Sequence, residues 1–335
     1  MSPLSIECTD LGRVFRSRKR RQTEEKTALT DVQLGVEAGE LFGLLGPNGA
    51  GKSTLIKILA TLLLPSSGQA KVLGLDVVGQ AGSIRPKINM VSGGEHSGYG
   101  ILTVRESLWM FSQFYGLSSR ESLRRIDELL AIVGLDKDAH TKISKLSTGM
   151  RQKMNFCRGF INDPQVLYMD EPTLGLDVGV AKVIRAYMRE WMEQRPDRTL
   201  LLTTHYMAEA DELCDRVAII DQGRILACDS PTALKRRVGQ DSTLQIEVAG
   251  GNGFSCLAGM RGVKRSAVTH RPADGRTDLS IILEHDSAVP MVLAALSEEG
   301  AGIVSFKKTE PTLEDVFLQL VGRKLTADAD AAEQS

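Results

Sequence analysis

The stretch "GPNGAGKST", Gly46 to Thr54, decides the fold of this chain. It fits the pattern GxxxxGK[ST], in which glycines let the backbone wrap a phosphate and a lysine neutralises the phosphate charge. The apolar run "ELFGLLG" precedes it, and "TLIKILATLL", with apolar residues at helical spacing, follows it. Strand, glycine loop and helix in this order predict a P-loop that binds a nucleoside triphosphate. The predicted binding residues of the loop are Gly46, Pro47, Asn48, Gly49, Ala50, Gly51, Lys52, Ser53 and Thr54.

Composition narrows the class of protein. The 335 residues are 42% hydrophobic and 25% charged, and 41 basic residues balance 42 acidic ones, so nothing in the charge favours nucleic acid as a partner. The longest apolar runs are shorter than the roughly 18 residues that a bilayer span needs, and no signal peptide is recognised. Five scattered cysteines without a CxxC pair argue against disulfides or a zinc site and favour a reducing, cytosolic compartment.

The pattern of segments predicts two domains. Alternating strand-like and helix-like stretches indicate an α/β domain over residues 4–237 with a mostly parallel core sheet and a helical subdomain at about 95–160. A small α+β domain is predicted for 241–325, where the order β-α-β-β-α-β suggests a split βαβ sandwich. The tail 326–335 has the composition of a disordered segment.

Polar residues end two further apolar segments. "VLYMDEP" contains Asp170 and Glu171, and "RTLLLTTH" ends at His205. Because open α/β sheets place their sites at the carboxyl ends of strands, we expect these side chains beside the P-loop. Asp170 and Ser53 are predicted to hold Mg²⁺. Glu171 is predicted to deprotonate an attacking water, with His205 next to the γ-phosphate.

A second helix start raises a question. "KLSTGMRQKM", Lys145 to Met154, places Ser147 and Gly149 at the beginning of a predicted helix. Such a start favours an anion, because the serine side chain and the free backbone N–H groups point at whatever lies there. The chain therefore offers two phosphate cradles, although it contains a single P-loop.

The motifs together resemble an ABC-transporter ATPase. The P-loop, "LSTGM", "VLYMDEP", the D-loop "GLD" at Gly175 to Asp177, and His205 occur in the order and spacing of that family, over roughly residues 4–235. The resemblance implies that Asp177 belongs to the nucleotide site and that Phe15 stacks on adenine, which makes ATP the expected nucleotide.

The resemblance also answers the question of the second cradle. In this family Ser147 and Gly149 would close over ATP held by the P-loop of another subunit. Two copies joined head to tail, or this chain with a related ATPase, would complete two sites. Because the chain shows no membrane span of its own, a separate integral-membrane permease is implied, which would hold the ATPase at the cytoplasmic face of the membrane.

Three features resemble the ATPases of drug-resistance exporters of the daunorubicin type. These are "LSTGM" instead of LSGGQ, the P-loop context, and the closing "PTLEDVFLQLVGR", Pro311 to Arg323. The implied function is ATP-driven export of drugs, lipids or other hydrophobic compounds. The alternatives are a soluble ABC ATPase in repair or translation, and a regulatory switch in which residues 240–325 sense a ligand.

The sequence departs from the family pattern at two places. The family's glutamine loop reads "SGGEHSGYGI", with Gly94 or Glu95 at the position of the glutamine. We expect Glu95 to replace the glutamine as a Mg²⁺ ligand; the alternative is that Glu95 points to solvent and a water takes its place. The stretch "RSRKRRQTEEK" is expected to lengthen the turn between the first two strands, either as a solvated tip or as a contact for anionic lipid head groups.

Overall fold

The computed structural model describes residues 3–19, 22–92, 99–238, 242–250, 254, 257, 259–271, 276–309 and 311–321. Its contacts divide the chain into two compact units, one that ends at Pro231 and one that begins at Thr232 and ends at Lys324. The boundaries at 237 and 241 stay a prediction. The expected tail 326–335 and Glu95 lie outside the described residues.

A six-stranded sheet forms the centre of the first unit. Its order is β10-β9-β3-β8-β7-β6, and all neighbours run parallel except β10, which is antiparallel to β9. Strands β3 and β8 are buried at every residue, because helices cover both faces of such a sheet. The predicted α/β class with a mostly parallel sheet is confirmed. The strands are β3 (Leu41–Leu45), β6 (Ile88–Ser92), β7 (Val166–Asp170), β8 (Thr199–Thr203), β9 (Arg216–Asp221) and β10 (Arg224–Asp229).

A second, antiparallel sheet has the order β2-β1-β4-β5. Strands β1 and β2 pair along their length up to Lys19 and Gln22, with an ion pair of 2.8 Å between Arg16 and Glu25. The basic stretch therefore lengthens the two strands, and the expectation of a longer turn is wrong. The strands are β1 (Leu4–Lys19), β2 (Gln22–Glu37), β4 (Ser67–Val72) and β5 (Leu75–Asp76).

Seven α-helices lie in the part of the first unit that the structure describes. Helices α3, α4 and α5 form the helical subdomain, and α3 begins with a capping box between Thr103 and Glu106, as the sequence predicts. None of the helices in the described ranges is long and apolar enough to cross a bilayer. The helices are α1 (Lys52–Leu59), α2 (Ala81–Ile84), α3 (Val104–Phe114), α4 (Ser119–Ile132), α5 (Thr148–Phe160), α6 (Val178–Glu193) and α7 (Met207–Leu213).

The second unit is built on a four-stranded antiparallel sheet of order β12-β13-β11-β14. This is the strand order of a split βαβ fold, with Leu244, Ile246 and Val248 of β11 in its core. The first helix of the expected β-α-β-β-α-β order corresponds to residues 253–260, and half of these residues lie outside the described ones. The elements are α8 (Pro231–Val238), β11 (Ser242–Ala249), β12 (Val263–Arg271), β13 (Arg276–Leu283), α9 (Val289–Glu298), β14 (Gly302–Thr309) and α10 (Leu313–Val321).

Candidate active site

The loop between β3 and α1 has the backbone of a phosphate cradle. Gly49 and Gly51 have φ of 80° and 110°, values that side chains disfavour. A Cβ at Gly51 would lie 2.6 Å from the carbonyl oxygen of Ala28, so the loop is also closely packed there. Helix α1 starts at Lys52 without a side-chain cap, which leaves its first N–H groups to an anion.

Lys52 lies inside this loop. Its side chain is 7% exposed, and Nζ donates hydrogen bonds to the carbonyl oxygens of Gly46 at 2.6 Å and Pro47 at 3.1 Å. Burial lowers the pKa of Lys52, while the carboxylates of Glu171 and Asp170 oppose that shift. A cation held at the centre of the loop suits a polyphosphate.

Asp170 ends β7 and lies across from the start of α1. Ser53 Oγ donates a hydrogen bond of 3.0 Å to its Oδ2, and Thr203 Oγ1 donates to its Oδ1. Strands β7 and β8 pair Asp170 with Thr203, which explains why the two side chains meet. The carboxylate and hydroxyl oxygens form a donor set that fits a hard divalent cation such as Mg²⁺.

Glu171 and His205 form a pair at the same edge of the sheet. Nδ1 of His205 lies 3.0 Å from Oε1 of Glu171. The hydrogen bond from His205 lowers the pKa of Glu171, and the positive charge of Lys52 adds to the effect. Glu171 is therefore a carboxylate at neutral pH, which is the state that accepts a proton.

Lys52, Ser53, Asp170 and Glu171 line one cleft of about 450 Å³, whereas His205 is not among its lining residues and reaches the site through its contact with Glu171. Phe15 lies at its wall with 37% of its surface exposed, and the guanidinium of Arg13 lies 4.6 Å from the ring centroid. The cleft is lined by Phe15, Lys26, Ala28, Pro47, Asn48, Gly49, Gly51, Lys52, Ser53, Thr54, Asp170, Glu171 and Leu174.

Not every residue predicted for the site lines the cleft. Gly46 packs under the loop, where a Cβ would lie 2.3 Å from the carbonyl oxygen of Ile220, and Ala50 is buried. The reasoning from sequence missed Lys26, which faces Phe15 in the register of β1 and β2. No signal in the sequence pointed to Lys26, because the charged stretch that contains it has no strand pattern.

The residues of the second cradle form a separate group. Ser147 is the N-cap of α5, and its side chain accepts a hydrogen bond of 3.2 Å from the N–H of Met150. Asp177 is the N-cap of α6 and accepts one of 2.9 Å from Val180. A Cβ at Gly149 would lie 3.7 Å from the carbonyl oxygen of Gly175, so this cradle and the D-loop are neighbours.

Family models match both units. The model of the ABC transporter family matches residues 29–174, and the model of the C-terminal domain of DrrA1-3-like ATP-binding proteins matches residues 230–321.

Curated relatives are similar over almost the whole chain. The linearmycin resistance ATP-binding protein LnrL of Bacillus subtilis is 35% identical over 90% of this chain and 96% of its own length. The daunorubicin resistance ATP-binding protein DrrA2 of Streptomyces coeruleorubidus is 36% identical over 92% and 94%. The Nod factor export ATP-binding protein I of Neorhizobium galegae is 36% identical over 90% and 82%.

Solved structures share the fold of the first unit. The ATP-binding subunit of an ABC transporter is 30% identical and covers 70% of this chain and 93% of its own, with a TM-score of 0.61. A dimeric ATP-binding cassette bound to ADP and Pi has the same TM-score at 24% identity, and covers 67% of this chain and 98% of its own. The likeness to ABC-transporter ATPases that the motifs indicate is thereby confirmed, and the chain belongs to the ATP-hydrolysing subunits of ABC transporters of the exporter type.

Proposed function

We propose that this chain hydrolyses ATP in the interface of a head-to-tail homodimer, at the cytoplasmic face of a membrane, and thereby drives export through a separate permease. The observation that carries the proposal is the division of the site. P-loop, Asp170 and Glu171 meet in one cleft, whereas Ser147 and Gly149 lie in a second group beside the D-loop. A second copy related by a two-fold axis would bring its own Ser147 and Gly149 to this cleft.

Each group of the site has a proposed role in ATP binding or hydrolysis. The N–H groups at the start of α1 and the Lys52 ammonium bind the phosphates, and Phe15 stacks on the adenine ring. Ser53 and Asp170 would hold Mg²⁺, which neutralises phosphate charge when it is bound. Glu171 takes a proton from the attacking water, and His205 fixes the orientation of the Glu171 carboxylate through their hydrogen bond.

A groove on the first unit supports a permease partner. It measures about 390 Å³ and contains residues of α3 and β6, with Leu62 and Phe114 on its rim at 67% and 72% exposure. Strand β6 ends just before the stretch of sequence that matches the family's glutamine loop, and in that family this loop contacts the permease. We propose that a cytoplasmic helix of the permease packs its apolar face into this groove.

The names of the relatives support the type of cargo. They are proteins of linearmycin resistance, daunorubicin resistance and Nod factor export. We therefore propose that the permease exports drugs, lipids or other hydrophobic compounds.

Replacement of the proposed base tests this function. Glu171→Gln keeps the shape of the side chain but cannot accept the proton, so we expect ATP hydrolysis by the full chain to fall about 10²–10⁴-fold. ATP binding should persist, and the variant should elute as an ATP-dependent dimer in size-exclusion chromatography. Glu128→Gln, which changes an exposed carboxylate on α4, serves as the control and should behave as the wild type. Wild-type turnover by Glu171→Gln would exclude Glu171 as the base.

A further inference from the structure

Gln152 is a buried amide whose contacts the proposed mechanism does not use. It lies in α5 and is 6% exposed. Its Nε2 donates to two backbone carbonyl oxygens, those of Glu171 and Pro172, each at 3.1 Å. Since both neighbours are acceptors, the NH₂ group of the amide is the part that must face them. The side chain thus connects the helical subdomain with the backbone of the proposed base.

The backbone of Glu171 is strained at this point. Its φ of 52° lies in the left-handed region, which residues other than glycine rarely adopt. Such a conformation persists only when surrounding contacts hold it. The N–H of Glu171 donates to the carbonyl oxygen of Thr203 at 3.0 Å, and its own carbonyl oxygen also accepts from Leu174 at 3.3 Å. Gln152 supplies the contact that comes from α5.

Helix α5 connects this contact to the second cradle. Gly149 and Gln152 are three positions apart and lie on the same side of the helix. The residues at the helix start, Ser147 and Gly149, are those proposed to close on the ATP of a partner subunit. Because an α-helix moves as a rigid body, a displacement of its first turn displaces Gln152 as well.

We infer that Gln152 is a positioning residue, which couples the start of α5 to the carboxylate of Glu171 in the same chain. The inference rests on the proposed function. In a head-to-tail dimer the start of α5 contacts ATP in one site, whereas Glu171 acts on ATP in the other. Gln152 therefore links the two sites structurally, because it holds the backbone of the base of one site from a helix whose first turn belongs to the other.

Loss of the two donors is the first test. Gln152→Met is similar in size and cannot donate, and Gln152→Glu places a carboxylate against the two carbonyl oxygens. For both full-length variants we expect kcat for ATP hydrolysis to fall about tenfold to 100-fold, because the base is misplaced. The Kd for ATP should stay within about twofold, since the P-loop is intact.

Asn155→Leu is the matched control, because Asn155 is another buried amide of α5 and its Oδ1 has no hydrogen-bond partner among the described residues. It should keep the wild-type kcat. Wild-type kcat in both Gln152 variants, or an equal loss in Asn155→Leu, would overturn the inference. The proposed function has its own test, since it fails if Glu171→Gln retains turnover.

Mixed dimers show which site depends on Gln152. Lys52→Ala inactivates one P-loop, so a dimer with one such chain has a single working site, and the dimer of Lys52→Ala with wild type sets the reference rate. When Gln152→Met is placed on the chain with the working P-loop, we expect the loss seen in the homodimer. When it is placed on the Lys52→Ala chain, which supplies only the second cradle, the rate should equal the reference. The reverse result would show that Gln152 serves the cradle and not Glu171.

Discussion

Helices α1 and α5 both begin with small residues next to the site chemistry, but their starts differ. The N-cap of α1 is Gly51, in a left-handed conformation and without a side-chain hydrogen bond. The N-cap of α5 is Ser147, whose side chain accepts from the N–H of Met150. The start of α1 keeps all its free N–H groups for a ligand, whereas the start of α5 already satisfies one of its own.

The surroundings of the two starts differ in the same sense. Around α1 the same chain provides Lys52, Asp170 and Glu171, which are the charges that a triphosphate and its cation need. Near the start of α5 lies the uncharged Gly175 of the D-loop. The comparison teaches that a helix start becomes a nucleotide site through the groups that the fold collects around it. Under the proposed function, a second copy of the chain supplies those groups to the start of α5.

Mixing two inactive variants gives the largest expected effect. Lys52→Ala destroys the P-loop of its own chain, and Ser147→Arg blocks the cradle that serves the other chain. Each variant alone should lack ATPase activity. In an equal mixture about half of the dimers should be mixed, each with one intact site, so about a quarter of the wild-type rate should return. The measurement is the ATPase rate of the mixture against the separate variants.

Two differently tagged forms of the variants provide the control for this experiment. Dimers that carry both tags can be isolated after mixing and assayed in ATP. If such dimers form and show no activity above the separate variants, the two helix starts do not work across an interface.

Alanine substitutions of three glycines should affect ATP binding differently at the two helix starts. At Gly51 the φ of 110° and a Cβ 2.6 Å from the carbonyl oxygen of Ala28 oppose any side chain. We expect Gly51→Ala to cost about 3 kcal/mol in the loop, or about 100-fold in ATP affinity by calorimetry. Gly149 has neither constraint, so Gly149→Ala should leave the ATP affinity of the chain unchanged and lower only the turnover of the dimer.

Gly49 is the matched control for Gly51. Its φ is 80°, but nothing lies within 4 Å of a Cβ built there. Gly49→Ala should therefore destabilise the loop only through its backbone conformation, by about 1–2 kcal/mol, and weaken ATP binding roughly tenfold. Equal losses in Gly49→Ala and Gly51→Ala would mean that the contact with Ala28 does not shape the loop.

Much of this fold follows from local sequence patterns. The P-loop, the apolar strands that end at Asp170 and His205, and the capping box at Thr103 all depend on residues that are close in the chain. Such signals determine where elements begin and end, and the strand order of the second unit follows from the alternation of its segments. The structure confirms the class and the order of these elements.

The contacts around Glu171 could not be predicted in this way. Gln152 meets its carbonyl oxygen across 19 positions of sequence, and Thr203 meets Asp170 across 33. Periodicity assigns Gln152 to a helix but not to a partner, because the contact depends on how α5 packs against the end of β7. The prediction of a longer turn between β1 and β2 was wrong for a different reason. The charged residues of this hairpin carry no strand pattern, although the two strands pair in register.

The smallest expected effect concerns how the ionisation of Glu171, in the cleft around α1, makes the stability of the protein depend on pH. The hydrogen bond from His205 lowers the pKa of Glu171 below its ordinary value of 4.5. A lowered pKa in the folded state contributes stability that is present above the unfolded-state pKa and is lost as the pH falls through the folded-state value. Without nucleotide, the free energy of unfolding of wild type at pH 7, measured by denaturant titration, should therefore exceed that of Glu171→Gln by less than about 1 kcal/mol. This difference should fade below pH 4.5, because the protonated carboxyl group resembles the amide. Repeating the comparison in a His205→Ala background should reduce the pH-dependent part, because the main cause of the shift is gone. A difference that stays constant down to pH 3.5 in both backgrounds would show that the stability of this cleft does not depend on the ionised carboxylate of Glu171.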